Sequence, residues 1–282
     1  MTAVDTATRE QQTPDPSGGG EAPTAAPRGR SRGTVRRTRQ AIVFGTLFAA
    51  WWVVGHFQLV DPFYLPAPGQ VVGAIVGLFS GSGIWEHLAA TFGAAVGGLV
   101  IGLIVGIVLG FAAALVPAAA DVLEPVMAAL NAVPRVVLAP LFVVWLGIGL
   151  SSKVAVSFLL VSVLVFFSVY SGIREVDQRL VERVRSFGGG RRWLIREVYA
   201  PSVTAWVLGN LRVAVGFAFT GAVVGEFVAS TRGLGYLLGF AQTTYNVPLV
   251  FGLIAVVMML VLTLVAIAGR VERRLLSWRV DP

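Results

Sequence analysis

Chemistry in this 282-residue chain would rest on a few polar side chains set in or beside apolar runs. Glu226 and Arg212 share one run, and Asn131 and Arg135 another. Ionisable groups in such runs are costly and face a bundle interior or water, so each needs a partner. Glu226 and Arg212 are fourteen positions apart, about 21 Å of helix, and do not pair within one straight helix. Glu226 reads either as a gate or pathway group or as a structural hydrogen-bond acceptor. Arg212 reads as a side chain snorkelling towards the cytoplasm. Arg135 suits an inner mouth that attracts an anion, and suits cytoplasmic anchoring equally well.

Catalytic arrangements find no support. Lys153 follows Ser151 and Ser152 rather than a glycine-rich run, so no phosphate-binding loop ends on it. There is no Gly-x-Ser-x-Gly elbow, and no carboxylate pair at helical spacing falls within an apolar run. Zero cysteines exclude disulfides and thiolate sites, and His56 and His87 are too few for a histidine-built metal site. No catalytic, cofactor-binding or metal-binding residue is predicted, and no nucleic-acid partner is expected.

The elements that must position these residues are membrane helices, because 56% apolar, 13% charged and a mean hydropathy of +0.78 describe no soluble core. Six apolar runs reach spanning length: about 41–60, 90–115, 122–146, 154–171, 203–228 and 247–268. Residues 1–40, with four prolines, Gly18-Gly19-Gly20 and no apolar periodicity, predict a disordered basic tail. The remainder, 41–282, reads as one transmembrane domain. Of the 22 basic residues, seven lie in the tail, seven in the 172–202 loop and four at the C-terminus. The positive-inside rule then puts both termini in the cytoplasm.

Within that frame, Leu65-Pro66-Ala67-Pro68 followed by Val71, Ile75, Leu78 and Phe79 predicts a short helix on the membrane surface, either a partner contact or an interface anchor. Gly98, Gly102, Gly106 and Gly110 repeat every four residues, a face built for close helix contact with an undetermined partner. Pro125, Pro134 and Pro140 must break or kink the third span around Asn131 and Arg135, to line a pathway or merely to shape packing. The long 172–202 loop parses as helix, glycine break, helix and proline stop. Leu180, Val181, Val184 and Phe187 give its first helix an apolar face suited to a partner's groove.

The loop resembles the cytoplasmic signature of ATP-binding-cassette (ABC) importer permeases: Glu-Ala-Ala, three residues, Gly, nine residues, Ile-x-Leu-Pro. Glu182, Gly188 and Pro201 fall at the signature spacing and Val198 stands for Ile, whereas Arg183-Val184 replaces Ala-Ala and Ala200 replaces Leu. Leu65 to Pro68, Val133 to Lys153, Gly225-Glu226-Phe227 with Gly233 to Tyr236, and Val271 to Trp278 are similar to the nitrate, sulfonate and taurine type. The resemblance covers roughly residues 60 to 280. It implies an all-α, six-span type I importer domain in the bacterial plasma (inner) membrane, with 172–202 as the coupling loop. It further implies two ATPase subunits carrying ATP and Mg, a second copy of the chain, an extracytoplasmic substrate-binding protein and a small anionic cargo. Glu182, Arg183, Arg185, Gly188, Arg191 and Pro201 would form the ATPase coupling site, and Asn131, Arg135 and Glu226 are candidate pathway or gate residues.

Two other classes are weighed against that reading. An ion-coupled secondary transporter would want several intramembrane carboxylates and inverted halves, but only Glu226 offers itself and no repeat is detected. A non-transporting scaffold leaves the broken third span and the long loop unexplained.

Overall fold

The computed structural model describes residues 32–275 apart from Ser82. Among the described residues the order is α1 (Arg32–His56), α2 (Pro68–Ser80), α3 (Ile84–Leu115), α4 (Pro117–Ala132), α5 (Ala139–Leu146), α6 (Leu150–Arg174), α7 (Gln178–Ser186), α8 (Arg191–Leu194), α9 (Ala200–Gly209), α10 (Leu211–Val228), α11 (Leu234–Thr243) and α12 (Val247–Leu275). No strand occurs among them. The chain divides into two compact units after Ala50, and the second holds every site residue.

Length and apolarity qualify four helices to cross a membrane: α3, α6, α10 and α12. α4 and residues 135–146 pass the same test only when taken together, bent by 95°, the geometry of a broken span or a re-entrant loop. Proline dictates where that bend falls. Pro125 lies inside α4 without ending it, whereas Val133 and Pro134 are extended and a 3₁₀ turn, Arg135–Leu138, leads into α5, with Pro140 in its first turn. α1 is not among the apolar crossers, since Arg39, Gln40 and His56 bracket its apolar stretch. It also begins earlier than the expected tail boundary at residue 40. Arg32 to Gln40 are helical, in keeping with the favourable helix propensity of arginine and glutamine. The rest of the expected tail, residues 1–31, lies outside the described residues, as do Leu276 to Trp278 of the C-terminal motif.

The bundle's heart is the seam between α3 and α6, and the glycine repeat finds its partner here, in the same chain. Gly98, Gly102, Gly106 and Gly110 are buried against Ser157, Val161, Val165 and Val169, a matching four-residue stripe on α6. A Cβ on Gly102, Gly106 or Gly110 would lie 2.7 Å from the facing valine Cβ, so only glycine allows this approach. α10 packs across both helices, with Ala214, Ala218, Phe219 and Ala222 in the shared core and the Ser157 hydroxyl donating to Ala218 O at 2.8 Å.

Three features refine the expected elements. The fifth span, expected unbroken over 203–228, is interrupted at Asn210, whose side-chain amide and backbone N–H both donate to Trp206 O. The connection after it, 229–246, contains the ten-residue helix α11. The surface helix exists as α2 but packs on α12, with Val71 buried and Gly252 facing Ile75 and Val71 O.

Candidate functional site

The 172–202 loop forms one end of the bundle. Asp177 caps α7 by accepting from Arg179 N–H at 2.9 Å, and Gly188, with φ 78°, reverses the chain after Phe187. That conformation favours glycine, which explains the break read from the sequence. Glu182, Arg183, Arg185, Gly188, Arg191 and Pro201 are all exposed on this surface. The apolar face is divided: Val181 is buried, while Leu180 and Phe187 stay exposed, Phe187 by 89%. A groove of about 590 Å³ runs between α7 and the start of α9, floored by Val184, Val198, Pro201 and Trp206. Arg191 is not wholly free for a partner, because its guanidinium donates to Leu115 O at the end of α3 (3.2 Å).

The proline stop is a correction. Pro201 sits in the first turn of α9, and the helix runs through it from Arg191 by way of a π-helical turn, Ile195–Tyr199. Ala200 N–H reaches back to Ile195 O, five residues earlier. Proline supplies no N–H of its own, so the widened turn absorbs the missing donor without ending the helix.

At the bend of the third span the structure brings Asn131 and Arg135 together. The Arg135 guanidinium donates to Asn131 Oδ1 (3.2 Å) and to Leu160 O on α6 (3.2 Å), and lies 5.6 Å from the centre of the Phe217 ring. Arg135 therefore links the broken span to α6 through one side-chain and one backbone acceptor. Glu226 lies elsewhere and does not join this pair. Arg212 is not simply snorkelling: it donates to Glu272 of α12 at 2.6 Å, across Gly269.

Glu226 anchors the end of the bundle opposite the loop. It is 2% exposed, and its Oε2 accepts from Thr91 Oγ–H (2.9 Å) and from Gly235 N–H (3.0 Å). Thr91 in turn accepts from Leu234 N–H, and His87 Nδ1 accepts from Gly233 N–H at 3.0 Å. Gly233, with φ 113°, folds the start of α11 directly onto the carboxylate and leaves no room for a side chain. Lys153 joins the same region, 3% exposed, with its ammonium donating to Ile148 O in the turn before α6. Sequence reasoning missed Thr91 and His87, and used Lys153 only to exclude a phosphate loop and to fill out a motif. Its being the sole lysine, beside a span, was the available signal.

Comparison with known proteins bears on what this arrangement serves. The family profile described as "Binding-protein-dependent transport system inner membrane component" matches residues 98–277. The chain belongs to that family. This ABC importer permease is similar to the riboflavin transport system permease protein RibX of Chloroflexus aurantiacus, at 38% identity over 83% of this chain and 88% of the relative. It is also similar to the taurine transport system permease protein TauC of Escherichia coli, at 30% identity over 82% and 86%. The formylaminopyrimidine transport permease protein ThiX of Halalkalibacterium halodurans is 30% identical over 87% and 99%. The fold matches a solved structure of the inward-facing MetNI methionine ABC transporter, with TM-score 0.54 and 23% identity, covering 68% of this chain and 94% of that chain. The sequence resemblance to ABC importer permeases is thus met. As a family member the chain is a non-catalytic, multi-pass inner-membrane subunit. ATP hydrolysis belongs to partner ATPase subunits, and a substrate-binding protein is a further partner.

Proposed function

We propose that this permease supplies half of the translocation pathway of an ATP-driven importer, as two copies of itself with two ATPase subunits. In this reading α1 is the sixth span, both termini are cytoplasmic, residues 1–40 serve as a cytoplasmic extension, and α7 is the coupling helix. The observation that carries it is the exposed surface of α7 and the Gly188 turn, with Phe187 projecting beside a groove. An amphipathic helix that leaves an aromatic in solvent suits insertion into a partner's cleft. Glu182, Arg183, Arg185 and Gly188 would contact the ATPase there, and Arg191 would tie that contact to α3. Asn131 and Arg135 at the broken span would line the pathway, and this chain needs no cofactor of its own, ATP and Mg residing on the partner.

The cargo is proposed as a small anion, on the strength of the taurine relative and of an aliphatic sulfonates permease of Bacillus subtilis at 29% identity. A flavin or vitamin precursor is the second reading, favoured by the 38% identity to the riboflavin permease. The test is to purify the tagged chain with its genomic neighbours in mild detergent, count subunits by mass spectrometry, and screen the recovered binding protein against sulfonates and flavins by calorimetry. Two ATPase copies per two permeases support the assembly. Recovery of the chain alone overturns it and favours a secondary transporter or scaffold.

A further inference from the structure

We propose that Lys153 and Glu226, which face one cavity without a direct ion-pair contact, act as buried counter-charges that position the two turns at the end of the bundle opposite the proposed coupling loop, and that binding-protein action depends on their balance. This rests on the importer reading above. Both side chains line one cavity of about 360 Å³, between the start of α6 and the end of α10, with Ser230 and Arg232 at its rim. Each holds a different turn. Lys153 bonds Ile148 O in the turn between α5 and α6, and Glu226 bonds Gly235 N–H beyond the turn between α10 and α11.

These bonds leave hydrogen-bonding capacity on both groups facing the cavity, since no fully buried polar side-chain atom among the described residues lacks a partner. An ammonium carries three donors, and among the described residues Lys153 has one acceptor. Glu226 Oε2 takes both of that residue's hydrogen bonds, leaving Oε1 without a partner among the described residues. The other charges nearby, Arg232 and Glu86, are exposed and paired with each other at 2.9 Å. Lys153 and Glu226 are thus the remaining opposite charges in the cavity, and the Lys153 stem lies over Gly225, where a Cβ would meet Lys153 Cγ at 3.3 Å. Removing one member of a buried pair strands the other in a low-dielectric site, whereas removing both strands nothing.

The non-additivity this implies is the test. Lys153→Met, Glu226→Gln and the double variant are purified in the complete complex, and ATP hydrolysis is titrated with the cognate binding protein as purified. Met keeps the stem, and Gln keeps an acceptor for Gly235 N–H. Each single variant should raise the half-saturating binding-protein concentration about fivefold or more, and the double should return it to within about twofold of the parent. A purely structural role would instead lower complex recovery and maximal rate together. A double variant no better than the worse single, or singles equal to the parent, overturns the proposal. If a single variant yields no complex, recovery of the double shows the same coupling in assembly, and loss of both overturns it. Absence of binding-protein stimulation in the parent complex would instead refute the importer reading.

Discussion

The same substitution at two places in α3 should have opposite effects. At Gly106 a Cβ would lie 2.7 Å from Val165 Cβ and 2.8 Å from the backbone Ser162 O. Comfortable carbon contacts fall near 3.5–4.0 Å, so α3 and α6 would have to separate by roughly 1 Å. Backbone and Cβ atoms cannot rotate away as a flexible side chain would. Overpacking of this kind costs about 1–3 kcal/mol, while alanine regains about 0.8–1 kcal/mol of helix propensity, so Gly106→Ala should be net destabilising by up to about 2 kcal/mol. Gly93, in the same helix, has nothing within 4 Å of the corresponding position, so Gly93→Ala should be neutral or stabilising by up to about 1 kcal/mol. The assay is thermal denaturation of the purified chain in one detergent, followed by tryptophan fluorescence. Gly106→Ala should melt several degrees below the parent and Gly93→Ala at or above it. Equal melting temperatures for the two variants would refute the claim that the seam is limited by backbone approach.

Gly188→Ala places a side chain at φ 78°, which costs about 1–2 kcal/mol, and should weaken binding-protein-stimulated ATP hydrolysis more than melting temperature. Glu182→Ala, on an exposed face, should leave melting unchanged and abolish ATPase co-purification, and normal coupling would sink the assignment of α7. Pro201→Ala supplies the missing N–H, so the π-turn can close to an α-turn and rotate α7 and α8 by about 100° relative to α9. Coupling should fall while stability holds or rises, and a deuterium-exchange map unchanged over 191–201 would argue against the register shift. Arg212→Ala should cost about 1 kcal/mol or less, since Arg212 is 42% exposed, and the loss should shrink in Glu272→Gln background.

What was legible in the sequence was local. Apolar run length located the spans, three prolines located the broken one, and Gly188 located the loop reversal. The glycine repeat announced a contact face, but a period on one helix names no partner; the facing Ser157, Val161, Val165 and Val169 carry the complementary stripe without a conspicuous residue type. Asn210 went unread because one polar residue beside Gly209 in an apolar run looks like a tolerated interruption, and only the bond to Trp206 O shows it ending a helix. α11 was missed because ten residues after a glycine turn are shorter than the window in which periodicity speaks. Pro201 misled because proline usually ends a helix, and a π-turn is invisible in composition. Thr91 lies 135 positions from Glu226, so no spacing rule could join them.

The two sites share α6, and this bears on how a push at the loop reaches the opposite end. α6 is about 37 Å long, with Lys153 near its start and Gly172 near its end. At Gly172 the helix meets the loop's continuation: Trp206 of α9 packs over the missing side chain, and the Ser202 hydroxyl donates to Gly172 O at 2.7 Å. Arg191 ties the same loop to the last carbonyl of α3, that of Leu115. Between these ends α3 and α6 touch backbone to backbone along the glycine seam, which resists bending because close-packed interiors do not deform continuously. If α7 is the coupling helix proposed above, its displacement should reach the Lys153 and Glu226 turns as a rigid shift of the α3–α6 pair. The helices free to yield are those with built-in breaks, α4–α5 at Pro134 and α9–α10 at Asn210. The moving boundary of the pathway should then run through Arg135, where the guanidinium spans from Asn131 on the broken span to Leu160 on the rigid pair.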